Sequence, residues 1–277
     1  MTQYGDNASA SASVGNDPDL RMIDIGGRRL AMTCTGAGSP AVILETGLGA
    51  ESRDWAAVQD SISTVTRVVR YDRANRGASD PAPGPRTALD MVADLRRMLR
   101  AAEIDGPYLL VGHSFGGLIV RVYAQRHGDE VAGVVLADSM HRDQFDVFSP
   151  LFPPPSPAEP PVLGRIRAFW QGGWRSPDST PEKIDLVASI RQDREVTSLG
   201  DVPLHVVAAG ATMRQLAPAG IGDALQEKWQ SLQMDFLKLS TRAVHLLAPQ
   251  SGHFVQRDAP QAVGDAIRAV IALTRQS

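Results

Sequence analysis

The 277-residue sequence has a single cysteine, Cys34, which excludes a disulfide within the chain. Its setting, LAMTCTG, offers no activating neighbour, so it reads as a buried strand thiol rather than a nucleophile. No apolar stretch reaches the length of a membrane span. No block of like charge stands out either: 28 Lys and Arg face 31 Asp and Glu, for a net charge of −3. That balance lacks the electrostatic footprint of a nucleic-acid or anionic-membrane binder. The opening segment, MTQYGDNASASASVGNDPDL, has neither a basic region nor an apolar one, so no export signal is expected. With no disulfide as well, the cytoplasm is the expected location. The chain has no internal repeat.

What is present is alternation. RMIDIGG and RRLAMTCTG read as two strands turning at Gly26-Gly27, and AVILET, RVVRYD, YLLV, AGVVLAD, PLHVVAAG and AVHLLAP read as further strands. Helical patterns lie between them. The best-signed begins at Thr87, which with Asp90 has the spacing of a capping box; Val92, Leu95 and Leu99 follow at helical intervals until Asp105-Gly106 breaks the pattern. Strands alternating with helices predict an α/β protein with a mostly parallel sheet, its strands apolar because both faces are covered. Ligands of such sheets gather at the carboxyl ends of the strands.

The first ~18 residues, rich in Ser, Ala, Gly, Asn and Asp, are expected to be a disordered tail. The core then comprises 19–139 and 201–277. From Met140 to about Gly200 no strand is visible. This stretch, 140–200, holds nine of the nineteen prolines and six of the fifteen Phe, Trp and Tyr. It reads as an insertion over the sheet edge, helical in its second half. Its aromatics either form a private core or line an apolar pocket beneath it.

One pentapeptide points to chemistry. Gly112-His113-Ser114-Phe115-Gly116 joins an apolar strand to an apolar helix. A nucleophile at a strand end stands clear of the sheet only on a very tight turn, which leaves room for small side chains alone two residues to either side. Serine needs a base. Of the six histidines, His205 and His245 lie within strands, His127 ends a helix, His113 points away from its neighbour, and His141 opens the insertion. His253 sits in PQSGHFVQRDAP, a loop after the last strand and on the same rim as Ser114. The base needs a carboxylate. Asp138 closes the strand AGVVLAD, whereas the loop after PLHVVAAG has no acid before Asp223. For an oxyanion, one amide should be that of Phe115; the other should come from GLGAESRDW, where Gly47 lets the chain turn and Leu48 is the choice.

The order Ser114, Asp138, His253, the turn around Ser114 and the segment YDRANRGASD at Tyr71 to Asp80 together resemble the α/β-hydrolase family, from about Leu20 to the C-terminus. SGHFVQRDAP is similar to that family's histidine segment. The resemblance implies an eight-stranded, mostly parallel sheet with helices on both faces, and it makes the insertion a cap after the sixth strand. An acid after the sixth strand rather than the seventh is a variant arrangement seen in the haloalkane-dehalogenase branch. Serine at 114 argues against dehalogenase or epoxide-hydrolase chemistry, which uses aspartate there. Glu45-Thr46-Gly47-Leu48 stands where many members have His-Gly.

The expected activity is therefore that of a serine carboxylesterase acting on a small, largely apolar ester, with no metal or cofactor and with neither nucleic acid nor membrane as partner. Lactone, thioester, amide or carbon–carbon cleavage would use the same parts, as would cofactor-free perhydrolysis; a small-molecule receptor on the same scaffold is the other class. The acid assignment is directly testable. Asp138→Asn should lower kcat by about 10⁴, by analogy with the best-studied triad, while Asp223→Asn is nearly silent. Steady-state kinetics with a thermal melt in parallel checks this, and a dead Asp223 variant would move the acid.

Overall fold

The computed structural model describes residues 19–275 apart from 153, 158–160 and 214–221; the tail expected over 1–18 lies outside the described residues. All eight predicted strands form: β1 (Leu20–Asp24), β2 (Arg29–Thr35), β3 (Ala41–Glu45), β4 (Val68–Tyr71), β5 (Tyr108–His113), β6 (Val131–Ala137), β7 (Leu204–Ala209) and β8 (Ala243–Ala248). They build one sheet in the order β1-β2-β4-β3-β5-β6-β7-β8. β1 and β2 pair antiparallel, as does β2 with β4; every other pairing is parallel. Parallel neighbours need crossovers, and helices supply them.

The central strands are buried on both faces, so successive residues feed two different cores. Val42, Leu44, Leu109, Val111, Val135 and Val207 face one side, where they meet Trp55, α1 (Ala56–Ile62) and the C-terminal helix running from Pro260 to Thr274. Ile43, Leu110, Val134, Leu136 and Val206 face the other, against α2 (Ala88–Ala101) and α3 (Phe115–Arg126). The predicted capping box opens α2: the Asp90 carboxylate accepts from the Thr87 backbone N–H at 2.8 Å. β8 departs from the expectation of double coverage. It is an edge strand pairing with β7, and Val244 and Leu247 are exposed. Cys34 on β2 is half-buried rather than fully enclosed.

No strand forms between Met140 and Gly200 among the described residues, which instead form α4 (Gln144–Phe148), α5 (Pro161–Gln171) and α6 (Leu186–Arg194). The insertion does not stay at the sheet edge. Its second half reaches the carboxyl ends of central strands, because two buried arginines of the core find their carboxylates there. Arg121 of α3 donates through Nε and Nη2 to both oxygens of Asp193, at 2.9 Å each, with both side chains wholly buried. The other arginine, Arg73, pairs with Glu182. Polar contacts reinforce the join: the Ala88 N–H donates to Ser189 Oγ and the Leu89 N–H to Gln192 Oε1.

A buried charge left without its partner is costly, whereas replacing both members by apolar groups is often neutral. Asp193→Ala should therefore destabilise the protein by roughly 3–5 kcal/mol, and Arg121→Met combined with Asp193→Leu should recover most of the loss. Urea unfolding midpoints test both; an Asp193→Ala protein as stable as the parent would show that the pair does not hold the insertion.

Candidate active site

The site begins with backbone geometry. Ser114 follows β5 and precedes α3 with φ 52° and ψ −121°, a conformation rare for a residue with a side chain. The glycines explain how the chain tolerates it. A Cβ on Gly112 would lie 2.5 Å from the Gly116 carbonyl oxygen, and one on Gly116 would lie 2.5 Å from the carbonyls of Glu45 and Thr46. No larger residue fits at either position.

The three predicted side chains converge. His253 Nε2 lies 3.0 Å from Ser114 Oγ, and His253 Nδ1 lies 2.7 Å from Asp138 Oδ2. The carboxylate can only accept, so Nδ1 carries the proton and Nε2 is left bare toward the serine hydroxyl. Asp138 is wholly buried and fully engaged. Its Oδ1 accepts from the Ala209 N–H at 3.0 Å and from Trp229 Nε1 at 2.7 Å, while Oδ2 also accepts from Thr212 Oγ1 at 2.6 Å. Asp223, the rival acid, lies near the start of α7 (Gly222–Asp235) and does not occupy this position; most of its preceding loop, 214–221, lies outside the described residues.

Of the two residues predicted as oxyanion donors, Phe115 follows the serine directly and Leu48 lies in a loop next to it. Phe115 opens α3, so its N–H belongs to the first-turn amides that have no acceptor within the helix. The loop holding Leu48 also touches the turn: a Cβ on Gly47 would lie 3.2 Å from Ser114 Cβ.

Several residues escaped the sequence reading. Trp229 and Thr212 lie 91 and 74 residues from Asp138, and no local pattern marks them. His113, which points away from Ser114 as expected, has a defined partner. Its Nε2–H donates to the His253 carbonyl at 2.8 Å, and the two rings are 4.7 Å apart between centroids. Phe254 and Trp229 complete an aromatic surround of His253, at 5.6 and 6.1 Å. Arg73, Glu45 and Glu182 form a buried cluster beside the Leu48 loop. A hint of it was legible: Glu45 is a lone charge ending an apolar strand. Burial pushes the Glu45 carboxyl upward against the pull of Arg73. His141 turns away to Asp235, at 3.3 Å.

The insertion aromatics pack mainly on one another. Phe145 stacks on Trp174 with centroids 4.3 Å apart, and Phe148 meets Trp170 edge-on. A cavity of about 220 Å³ opens among Phe145, Trp170, Trp174 and Arg175, and none of Ser114, Asp138 and His253 lines it. One aromatic reaches the site: Phe148 contacts Trp229, 6.1 Å between centroids.

Comparisons with known proteins bear on the fold and family. The family pattern described as the alpha/beta hydrolase fold matches residues 40–193, more than half of the chain, and the chain belongs to that family. The chain is 29% identical over 300 residues to the probable transporter efuK of Hormonema carpetanum, matching 90% of this chain and 42% of that protein. It is 27% identical over 240 residues to the uncharacterized protein YqjL of Bacillus subtilis, matching 84% and 83%. The chain thus spans less than half of the first relative and most of the second. Among solved structures, an esterase from Thermogutta terrifontis superposes with a TM-score of 0.61 at 20% identity, over 92% of this chain and 98% of that one. No helix among the described residues is long and apolar enough to cross a membrane.

Burial, together with the nearby His253, holds His113 well below the ordinary histidine value. The native state therefore resists a proton that the unfolded chain accepts below about pH 6.5. Its contribution to stability is complete above that pH and is lost as pH falls toward the folded value. In His113→Gln, the urea midpoint should fall less steeply between about pH 7 and pH 5 than in the parent. Equal slopes would remove His113 from the acid sensitivity of the fold.

Proposed function

We propose that the protein is a serine hydrolase that cleaves a small, largely apolar carboxylic ester through an acyl-enzyme. The observation that carries this reading is the unbroken hydrogen-bonded line Ser114 Oγ, His253, Asp138. Ser114 attacks the ester carbonyl while His253 Nε2 takes its proton, and the buried Asp138 carboxylate stabilises the resulting imidazolium. The Leu48 and Phe115 amides hold the oxyanion, and the amide-rich start of α3 favours charge developing there. His253 returns the proton to the leaving alkoxide, and water then releases the acyl group by the same steps. The aromatic surround of His253 and the half-buried Leu48 favour an apolar substrate over a charged one.

A panel of p-nitrophenyl esters, lactones and anilides tests the bond class, and an alkyl phosphonate tests the nucleophile. Turnover is expected to be best on short esters, with the phosphonate on Ser114. Ser114→Ala should fold normally and lose on the order of 10³–10⁶ in kcat. Near-normal turnover in a folded Ser114→Ala protein would end the acyl-enzyme reading. Tight ligand binding without any turnover would make the protein a receptor instead.

A further inference from the structure

The Arg73 guanidinium is buried and spends its donors on four neighbours. Nε and Nη2 grip the two oxygens of Glu182 at 2.7 and 2.8 Å. Nη1 donates to Glu45 Oε1 and to the Thr46 carbonyl, both at 2.6 Å, and to Thr46 Oγ1 at 2.9 Å. Nη2 also donates to the Gly47 carbonyl at 2.7 Å. Tyr71 OH closes the cluster by donating to the other oxygen of Glu45.

The Gly47 contact has a directional meaning. The carbonyl of Gly47 and the N–H of Leu48 belong to one planar trans peptide, so they point to opposite sides. By drawing the carbonyl toward itself, Arg73 turns the Leu48 N–H away from the cluster. The next amide is removed from use: the Gly49 N–H donates to Glu182 Oε1 at 2.9 Å. Of the two, only the Leu48 N–H is left on the side away from Arg73. Arg73 also sits 5.8 Å from the ring of Phe115, the residue that carries the second donor.

We infer that Arg73 and Glu182 are positioning residues that set the oxyanion-binding amide of Leu48, so that the insertion, through Glu182, is a working part of the catalytic centre and not merely a cover. The inference rests on the esterase reading above. It explains why two carboxylates from distant segments are buried around one guanidinium: a single ion pair would hold the loop, whereas the bidentate Glu182 also fixes which way the loop's peptides face.

The experiment uses the full chain with p-nitrophenyl butyrate as substrate and a short alkyl trifluoromethyl ketone as probe. The ketone adds to a serine and places an oxyanion where the ester's would form. In Glu182→Gln the hydrogen-bond pattern is broken while size is kept. The expected result is a folded protein whose kcat falls about ten- to a hundredfold, short of the 10²–10³ for losing a donor outright. KM should change by no more than about threefold, and the ketone's inhibition constant should weaken by the same factor as kcat/KM. Arg73→Lys, which keeps the charge but cannot reach all partners, should behave alike. A folded Glu182→Gln with parental kcat overturns the inference, as does a fall in kcat that leaves ketone affinity untouched. Should Glu182→Gln not fold, Glu182→Asp, which keeps the charge and shortens the reach, is held to the same two criteria. A wild-type protein that hydrolyses no ester and is not labelled at Ser114 overturns the esterase reading itself, a different result from a failure confined to the variants.

Discussion

Close backbone contact at Ser114 is the constraint on which the rest of the site depends. The residue is held at a strained φ, a cost of about 1–3 kcal/mol for such positions, and the surrounding peptides hold it there. Its N–H donates to the Ala137 carbonyl at 3.2 Å, and its own carbonyl accepts from Gly117 at 3.0 Å and Met140 at 2.9 Å. The turn is thereby tied to the end of β6 at Ala137 and to Met140, the residues on either side of Asp138 and Ser139. The end of β3 presses on Gly116 from the other side. Ser114, the neighbours of Asp138 and the Leu48 loop thus pack about one junction.

Around that junction the fold uses buried charge where it would ordinarily use apolar packing. Arg73 and Arg121 each carry a carboxylate from the insertion, Glu182 and Asp193, into the interior. Ion pairs of this kind contribute little net stability because desolvation offsets their attraction. Their value is geometric: an apolar contact tolerates sliding, whereas a bidentate pair fixes distance and angle. The segment 180–196 is therefore seated on the core at defined points. The aromatic part of the insertion, with Phe145, Trp170 and Trp174, has its own packing and meets the site through Phe148 and Trp229.

The strands, the turn around Ser114, and the positions of His253 and Asp138 were legible because each follows from a local rule. Apolar runs with helical spacers define the sheet, glycine spacing defines the turn, and position at the carboxyl end of a strand defines the rim. What escaped the reading is non-local. Trp229 reaches Asp138 from a helix whose sequence looks like any amphipathic segment, and Glu182 sits in a stretch with no recognisable motif. The contact of His113 was not legible because a side chain next to Ser114 is expected to point away from it. That direction is correct, but it aims the ring at the His253 backbone. The edge exposure of β8 was hidden because an apolar strand at the rim of a sheet has the same composition as one in its middle.

The four hydrogen bonds converging on Asp138 have a structural consequence. They come from the end of β7 and Thr212 just beyond it, from α7 and from the histidine loop, so the carboxylate is where three otherwise separate parts of the chain meet. A substitution that removes the side-chain oxygens, such as Asp138→Ala, would leave the Trp229 indole and the Thr212 hydroxyl, both buried, without this acceptor. Position 138 is therefore constrained by the packing of the fold itself, apart from any chemistry its carboxylate performs.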